Sequence, residues 1–392
     1  MTTIVSLILF ALALPATAVS LYLLLFTLLS HAPPPAPRSS RRMRFDVIVP
    51  AHNEAAAIEG VIANLRKLDW PAEGFRVLVV ADNCTDSTAA LARAAGAEVL
   101  ERRDATFRGK GHALDFAFQA SKAHGGAYAV VVVDADTEVS ANLLEAFAAG
   151  IESGAKAIQV RYEVLNSQDS WRTRLMTIAM ASFHRVRSRA RERLQLSCGI
   201  RGNGWCVTHR LLREVPYRAF SLTEDIEYGI DLGLAGYRVH YADEAHVAAT
   251  MVSDEQAAGT QRRRWENGRL LLIRSRTLPL LRAAMGHGGK ICLDLALDLL
   301  VLPLSYVAIN IALLIVLAAF ALLWEPSMES WLWLGLGCGM SLLLYVLRGW
   351  QLSRVGIRGL MDLVRVPFFV LWKVLLMLRA HDSTEWVRTK RE

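Results

Sequence analysis

The chain has 392 residues, of which 53% are hydrophobic, and it carries a formal net charge of +7. Soluble domains average about 45–50% apolar residues. Here the excess of apolar residues lies at the two ends of the chain. This distribution argues against a wholly soluble protein and predicts a membrane protein with a soluble middle. Basic residues cluster beside the apolar stretches, so anionic headgroups and nucleotide phosphates, rather than nucleic acid, are the predicted partners. The five cysteines are scattered without a CxxC pair, which fits a reduced cytosolic compartment.

The N-terminal apolar segment, residues 4–29, is uncharged and long enough to span a bilayer. A cleaved signal peptide is the alternative, because the sequence at 16–18 resembles a cleavage site. The apolar run continues past that site and no basic region precedes it, which favours a retained helix (1–30) with a kink allowed at Pro15. A Pro/Arg linker follows at 31–45, and its arginines place this side of the membrane in the cytoplasm.

Residues 46–276 are predicted to form one α/β domain, because short β-branched runs alternate with helical segments and indicate a mostly parallel sheet. An arginine-rich helix is predicted at 171–196, with a solvated face favoured over one lying against the membrane. The predicted strands are 45–50, 76–81, 97–100, 128–133 and 157–164, and the shorter predicted helices are 54–68, 87–95, 114–124 and 226–234.

The C-terminal region, 277–392, is predicted to contain spanning helices at 302–323 and 331–347. Asp294 and Asp298 lie four residues apart, so 291–301 is interpreted as an amphipathic interfacial helix. The loop at 324–330 lacks Lys and Arg and is predicted to lie outside, whereas the next loop is arginine-rich and is predicted to lie inside. Segment 361–378 is predicted to be interfacial, with a span as the alternative, and the basic tail at 388–391 to be cytoplasmic.

The strand 130–133 is predicted to be buried on both faces and ends at Asp134 and Asp136. Ligands bind at the carboxyl ends of strands in open α/β sheets, and two acids at i and i+2 can hold one divalent cation together with nucleotide phosphates. The alternative is an Asp-rich turn before a helix capped by Ser140.

Three further strand or helix ends carry polar residues. The first strand closes on Pro50, His52 and Glu54, and the second on Asp82, which can accept from a nucleoside or form an Asx turn. Lys110 lies between two glycines before a helix, where the backbone can approach phosphate.

Two acids, Glu224 and Asp225, join a loop to a predicted helix. They are interpreted either as part of a capping arrangement between Ser221 and Glu224 or as a general base near a phosphate site. A glycine turn at Gly202, Asn203 and Gly204 lets an acceptor or backbone come close.

A basic segment with Gln261, Arg264 and Trp265 precedes the membrane helices. It fits either headgroup contact or bidentate binding of a leaving diphosphate.

The order of these motifs resembles the processive-type branch of glycosyltransferase family 2, which contains cellulose, chitin and hyaluronan synthases and ceramide glucosyltransferase. The resemblance covers about 46–269 and rests on Asp82, the Asp134/Asp136 pair, the Glu224–Asp225 segment and the segment 261–265. It implies a GT-A fold, a UDP-sugar donor and Mg²⁺ or Mn²⁺. The implied roles are uridine binding by Asp82, diphosphate and metal binding by Asp134 and Asp136, catalysis by Asp225, and pyrophosphate and acceptor binding by Gln261, Arg264 and Trp265. The residue patterns themselves add donor-binding candidates at Pro50, His52, Glu54 and Lys110, a second catalytic candidate at Glu224, and acceptor candidates at Gly202, Asn203 and Gly204.

The function that follows is an inverting transfer, because a single displacement converts an α-linked donor into a β-glycoside. The predicted acceptor is a membrane lipid or lipid-linked saccharide, reached at the cytoplasmic face of the inner membrane. A processive polysaccharide or oligosaccharide synthase is the alternative, although three predicted spans are fewer than long-chain synthases usually have. A non-catalytic scaffold or nucleotide sensor is disfavoured because the acids Asp134, Asp136 and Asp225 are all present.

Overall fold

A computed structural model describes residues 2–251, 255–286 and 289–367, and only the backbone of 255–265. The chain divides into two compact units. Of the described residues, one unit contains 2–31, 167–190 and 300–367, and is called here the helical unit. The other contains Ala32–Asn166 and Arg191–Leu299, and is called the sheet unit.

The described strands are β1 Phe45–Ala51, β2 Phe75–Asp82, β3 Glu98–Arg102, β4 Ala129–Val132, β5 Thr137–Val139, β6 Ala157–Val164, β7 Trp205–Thr208 and β8 His240–Ala249. The described α-helices are α1 Thr2–Leu28, α2 Ile58–Leu65, α3 Thr88–Ala94, α4 Lys110–His124, α5 Leu143–Glu152, α6 Trp171–Ala181, α7 Arg187–Arg193, α8 His209–Glu214, α9 Glu224–Leu234, α10 Glu255–Ala284, α11 Gly289–Leu300, α12 Leu304–Leu322, α13 Glu329–Ser353 and α14 Gly356–Asp362.

The sheet unit is built on one eight-stranded sheet with the order β3-β2-β1-β4-β7-β6-β8-β5. Strands β1, β2, β3 and β4 pair in parallel, as do β6 and β8, while β7 and β5 run antiparallel to their neighbours. Alternate residues of β4 enter different apolar clusters, with Ala129 and Val131 in one and Val130 and Val132 in the other, and Val133, just after the strand, joins the first. The valine run is therefore buried on both faces, as its composition predicts.

The predicted strands are confirmed, with ends that differ by one or two residues. The starts of three helices also differ, by four residues for α2 and α4 and by two for α9, and α2 ends three residues early, at Leu65. Helix α2 begins at Ile58 rather than at residue 54, because 55–57 form turns. Helix α4 begins four residues early, at Lys110, and α9 begins two residues early, at Glu224. The last two shifts move a lysine and two acids from predicted loops into first helical turns, where backbone N–H groups are unpaired.

The arginine-rich segment 171–196 is helical as far as Arg193, with a π-helical stretch at Ser182–Val186 between α6 and α7. Both interpretations of its arginine face were wrong, because Arg187 is 3% exposed and Arg191 is fully buried. Nε of Arg187 donates to the hydroxyl of Tyr345 at 2.8 Å. Buried charge is tolerated only with partners, and those partners come from distant parts of the chain.

In the helical unit, three helices of the described chain are long and apolar enough to cross a membrane, at Thr3–Leu28, Leu304–Leu322 and Pro326–Ser353. They match the three predicted spans, and the last is longer than predicted. Helix α1 continues without interruption through Pro15. Apolar residues of α1, α12 and α13 form a common cluster around Leu314.

Helix α11 agrees with the predicted segment 291–301, but its acids do not form a solvated stripe. Asp294 and Asp298 are 5% and 9% exposed, while Leu293 and Leu297 on the other face are 45% and 41% exposed. The acids face inward because Arg191 pairs with both of them. Whether α11 lies at a membrane surface stays a prediction. Residues 368–378 and the tail at 388–391 lie outside the described residues.

Candidate active site

The carboxyl end of β4 carries the two acids that the sequence singles out. Asp134 and Asp136 are half-buried, and the intervening Ala135 is buried. The helix-cap interpretation of this turn was wrong. Helix α5 begins after Asn142, and the Ser140 hydroxyl instead accepts from the backbone N–H of His246 at 2.9 Å.

Lys110, at the first turn of α4, reaches across to this turn. Its Nζ lies 2.5 Å from Oδ1 of Asp134 and donates to the carbonyl of Gly202 at 2.7 Å. It also lies 3.9 Å from Oε1 of Glu224. Gly109 precedes the helix with a φ of 116°, and a Cβ on Gly111 would lie 2.3 Å from the Ala219 carbonyl oxygen. The two glycines therefore let the lysine approach three acidic or carbonyl partners.

Glu224 and Asp225 form the first turn of α9. The predicted capping arrangement was wrong, because the residue before the helix, Thr223, makes no side-chain cap and Glu224 is already helical. Burial raises the pKa of Glu224 to about 7, with Asp225 adding to the rise and Lys110 opposing it. Burial likewise raises the pKa of Asp225. Carboxyl groups with raised pKa values in a cleft are suited to proton transfer near neutral pH.

The glycine turn 202–204 has two different roles. Gly202 lies against the acid pair, since a Cβ on it would be 3.3 Å from Oδ2 of Asp225. Asn203 is fully buried, accepts from the backbone N–H of Asp134 at 3.1 Å and donates to Thr137 at 2.7 Å. A Cβ on Gly204 would meet Val247 at 2.6 Å. Asn203 and Gly204 are both enclosed and hold the Asp134 turn, and the contact of this glycine turn with an acceptor stays a prediction.

A second group of predicted residues lies at the ends of β1 and β2. Asp82 is 6% exposed, and its Oδ1 accepts from Arg102 at 2.7 Å. His52 contacts the Asp82 carbonyl through Nδ1 at 2.7 Å, so the two loops are joined. Pro50 pairs in register with Val80 within the sheet. The predicted Asx turn at Asp82 is replaced by an ion pair, and Arg102 was not anticipated.

Glu54 lies in the same loop as His52. Its backbone N–H donates to the Thr88 hydroxyl at 2.8 Å and its side chain is half-buried. The loop after β1 is therefore fixed to the start of α3.

Helix α10 carries Gln261, Arg264 and Trp265, whose side chains lie outside the described residues. The helix is anchored beside the acid pair further along. A Cβ on Gly268 would lie 2.6 Å from the Thr223 side chain, and Arg276 pairs with Glu227 at 2.9 Å. The backbone of 261–265 therefore lies one to two turns ahead of a contact with Thr223.

Tyr162 on β6 was missed by the sequence interpretation. Burial and the charges of Asp134 and Asp136 raise its pKa well above the ordinary value, and its hydroxyl hydrogen-bonds to Asn203. It lies on β6, which pairs with β7 and β8 and not with β4, so no local pattern could have identified it.

The donor set fits a hard divalent cation that takes part of its shell from a nucleotide diphosphate. The charges of Asp134 and Asp136 both act on the Tyr162 hydroxyl, so both carboxylates lie near it. Within the described residues, no cluster of three or more His, Cys, Asp or Glu side chains is present to hold a metal by themselves. Two carboxylates plus phosphate oxygens match the preference of Mg²⁺ for carboxylate and phosphate ligands.

A family model described as "Glycosyltransferase like family 2" matches residues 42–268, more than half of the chain. The chain belongs to glycosyltransferase family 2. The match contains the β4 turn, Lys110, and the acid pair described above. As a member of this family the protein is a glycosyltransferase with the predicted GT-A-like fold.

Among curated proteins, the chain is 28% identical over 232 residues to a beta-monoglucosyldiacylglycerol synthase from Synechocystis sp., covering 57% of this chain and 47% of that protein. It is 22% identical over 239 residues to the probable glycosyltransferase YdaM of Bacillus subtilis, covering 59% of this chain and 56% of that protein. The chain thus spans about half the length of the curated relatives it matches.

Among solved structures, a mannosyltransferase from Pyrobaculum calidifontis in complex with GDP-Man and Mn²⁺ aligns with a TM-score of 0.52 at 20% identity. The alignment covers 89% of this chain and 99% of that chain. At this identity the likeness supports the fold alone.

Proposed function

We propose that this family member transfers a hexose from a UDP-sugar to a membrane lipid or lipid-linked saccharide and forms a β-glycosidic bond with inversion. One observation carries the proposal. Lys110 lies against Asp134 and within 3.9 Å of Glu224, the neighbour of the candidate base Asp225, so the proposed phosphate-binding lysine, the proposed cation-binding turn and the acid pair meet at one edge of the sheet.

The donor side is assigned to the strand ends. The ion-paired Asp82 and the loop that contains His52 would contact the nucleoside. Lys110 would bind the diphosphate beside Asp134 and Asp136. A divalent cation bound by those two acids supplies charge neutralisation for the departing diphosphate. Gln261, Arg264 and Trp265 are proposed to complete the diphosphate and acceptor side of the cleft.

The catalytic step is assigned to Asp225. Its carboxylate takes the proton of the acceptor hydroxyl, whose oxygen bonds to the anomeric carbon as the bond to the nucleotide oxygen breaks on the opposite face. The sugar is thereby inverted, and the leaving UDP keeps the bonding electron pair. Glu224 supplies a second negative charge next to Asp225, and its Oε1 lies 3.9 Å from Nζ of Lys110. Gly202 leaves space at Asp225 that a side chain would fill.

A lipid acceptor is supported by two observations. The synthase relatives are named for a glucosyl diacylglycerol product. Helix α11, on the sheet unit, exposes the apolar side chains of Leu293 and Leu297 immediately before a candidate span. We place the sheet unit in the cytoplasm and the protein in the inner membrane, following the arginine distribution of the loops.

The decisive experiment is a donor panel of UDP-glucose, UDP-galactose, UDP-N-acetylglucosamine and GDP-mannose, with purified protein in vesicles containing diacylglycerol. Nucleotide release and the product are measured together, and Asp225→Asn serves as the inactive control. A single-sugar β-glycolipid supports the proposal. A polymeric product would favour the processive alternative, and use of GDP-mannose alone would overturn the UDP assignment.

Topology is tested by cysteine labelling with a membrane-impermeant reagent. Ser327→Cys should be labelled in intact cells, whereas Arg103→Cys, at a side chain that is 84% exposed in the sheet unit, should be labelled only after lysis. The reverse pattern would place the sheet unit outside.

A further inference from the structure

A buried network of ions connects α11 with the loop that adjoins the candidate base. Arg191, at the end of α7, is fully buried. Its Nε donates to Asp294 Oδ2 at 2.7 Å, and its second terminal nitrogen lies 2.7 Å from Asp298 Oδ1. The guanidinium thereby fixes two acids one turn apart on α11, and its planar fork suits this double contact.

Asp298 has a second cationic neighbour. Its other oxygen, Oδ2, lies 3.6 Å from a terminal nitrogen of Arg201. Arg201 is 8% exposed, and its backbone N–H donates to Gln159 at 2.8 Å. Arg201 is therefore held by the sheet through its main chain and by α11 through its side chain.

The next residue, Gly202, is the one that borders Oδ2 of Asp225. The Arg201 charge acts on the Asp225 carboxylate in the direction that favours ionisation. A small cavity of about 20 Å³ adjoins Arg201, Asp298 and Ile226, the residue that follows the candidate base, and a volume of this size holds about one water.

Helix α9, which starts with the acid pair, also rests on α11. A Cβ on Gly233 would lie 2.3 Å from Leu295, and the Cys292 thiol donates to the Gly233 carbonyl at 3.3 Å. The far end of α9 and the arginine beside its first turn thus contact the same helix. A displacement of α11 would therefore reach Asp225 by two routes, through helix α9 and through Arg201.

We propose that Arg201 is a positioning residue for Asp225 and that Asp298 of α11 holds Arg201 in place, within the ion-pair network centred on Arg191. The proposal rests on the proposed function, because it takes Asp225 as the base. It assigns α11 a role in catalysis besides that of a surface helix. None of these residues needs to touch the substrate.

The two acids of α11 provide a matched pair of variants. Asp294 and Asp298 lie on the same helix face and each accepts from Arg191 at 2.7 Å, but the Arg201 contact belongs to Asp298. Loss of the Arg191 contact alone is a stability effect, which both variants share. An effect through Arg201 should appear in Asp298→Asn.

We expect Asp298→Asn to lower kcat about tenfold, in the range found for mutations along coupled networks. Donor KM and UDP affinity should stay within about twofold of the original values. Asp294→Asn should keep kcat within about twofold while lowering Tm as much as Asp298→Asn does. Equal kcat for the two variants, or an Asp298→Asn effect confined to donor KM, would overturn the proposal.

Arg201 itself gives a second test that does not depend on the α11 variants folding. Arg201→Lys keeps the charge and should retain most of kcat, whereas Arg201→Gln should lose about tenfold with donor KM little changed. If the lysine and glutamine variants have the same kcat, the positioning role is wrong.

Asp225→Asn separates this proposal from the proposed function. If Asp225→Asn keeps turnover, the assignment of the base fails. If Asp225→Asn abolishes turnover while Asp298→Asn behaves like Asp294→Asn, only the role of Arg201 fails. When both proposals hold, adding Asp298→Asn to Asp225→Asn should lower the residual rate no further, because effects transmitted through one group are not additive.

Discussion

The Lys110 ammonium lies 2.5 Å from Oδ1 of Asp134 and 2.7 Å from the carbonyl oxygen of Gly202. The Asp134 charge raises the pKa of Lys110, so the lysine stays cationic throughout the physiological pH range. The pair brings the proposed phosphate-binding cation and the proposed cation-binding carboxylate together before a donor is bound. An incoming diphosphate would therefore meet both charges without a rearrangement of the sheet.

Lys110→Met should raise the Kd for UDP by about 10–150-fold, because hydrogen bonds to charged groups contribute about 1.5–3 kcal/mol. Lys110→Arg keeps the charge and should lose less. Isothermal titration with UDP in the presence of Mn²⁺ measures both. Unchanged UDP binding in Lys110→Met would exclude the lysine from the diphosphate site.

Activity is expected to require a divalent cation held by Asp134 and Asp136. Chelation by EDTA should abolish turnover, and added Mg²⁺ or Mn²⁺ should restore it. Asp136→Ala should weaken the binding of Mn²⁺ with UDP, measured by titration. Glu138→Ala, at an exposed position of the following strand β5, is the control and should bind normally. Full turnover of chelated enzyme would contradict the metal assignment.

Asp225→Asn should lower kcat by about 10²–10⁴-fold, the usual contribution of a general base, with UDP affinity nearly unchanged. Asp231→Asn on the same helix is the control, since Asp231 pairs with Arg276 at 3.1 Å. Turnover is measured as UDP release. Near-normal turnover of Asp225→Asn would make the single-displacement mechanism wrong.

In contrast to Asp225→Asn, Asp82→Asn should weaken UDP binding more than it lowers kcat. The lost charge also removes the ion pair that holds Arg102. Asp104→Asn removes the other carboxylate that pairs with Arg102, at 2.9 Å, and should have the smaller effect. Titration with UDP and with free uridine distinguishes a lost nucleoside contact from a general disruption of the loop after β2. Equal affinities in the two variants would rule out a special role for Asp82.

The rate should rise as the pH increases through about 7. Glu224 has its pKa raised to about 7, and the pKa of Asp225 is raised as well, so the acid pair holds a proton below this pH and loses it above. A protonated pair cannot accept the acceptor proton, which fixes the sign. In Glu224→Gln the neighbouring negative charge is gone, so the acidic limb of the kcat profile should shift to lower pH. A profile that falls between pH 6 and 8 would contradict the assignment.

Much of the sheet unit and of the site follows from local sequence. The valine run of β4 has one environment in which it is stable, between two apolar layers, and the acids at its end must then lie at the sheet edge. Lys110 and the acid pair were also identified, although their helical starts were not. A helix boundary depends on which backbone groups find partners, and this information is not local.

Only the tertiary structure determined which charged residues are buried and which partners they contact. A run of arginines reads as a solvated or membrane-facing surface, yet Arg191 is fully buried because Asp294, 103 residues later, folds against it. In the same way Asn203 reads as part of an open glycine turn but is enclosed by contacts to Asp134 and Thr137. The sequence by itself determined the strands, the spans and the acids at strand ends, since these depend on periodicity and hydrophobic burial. It could not determine which charges pair, because the stability of a buried ion depends on partners that only the folded chain brings within hydrogen-bonding distance.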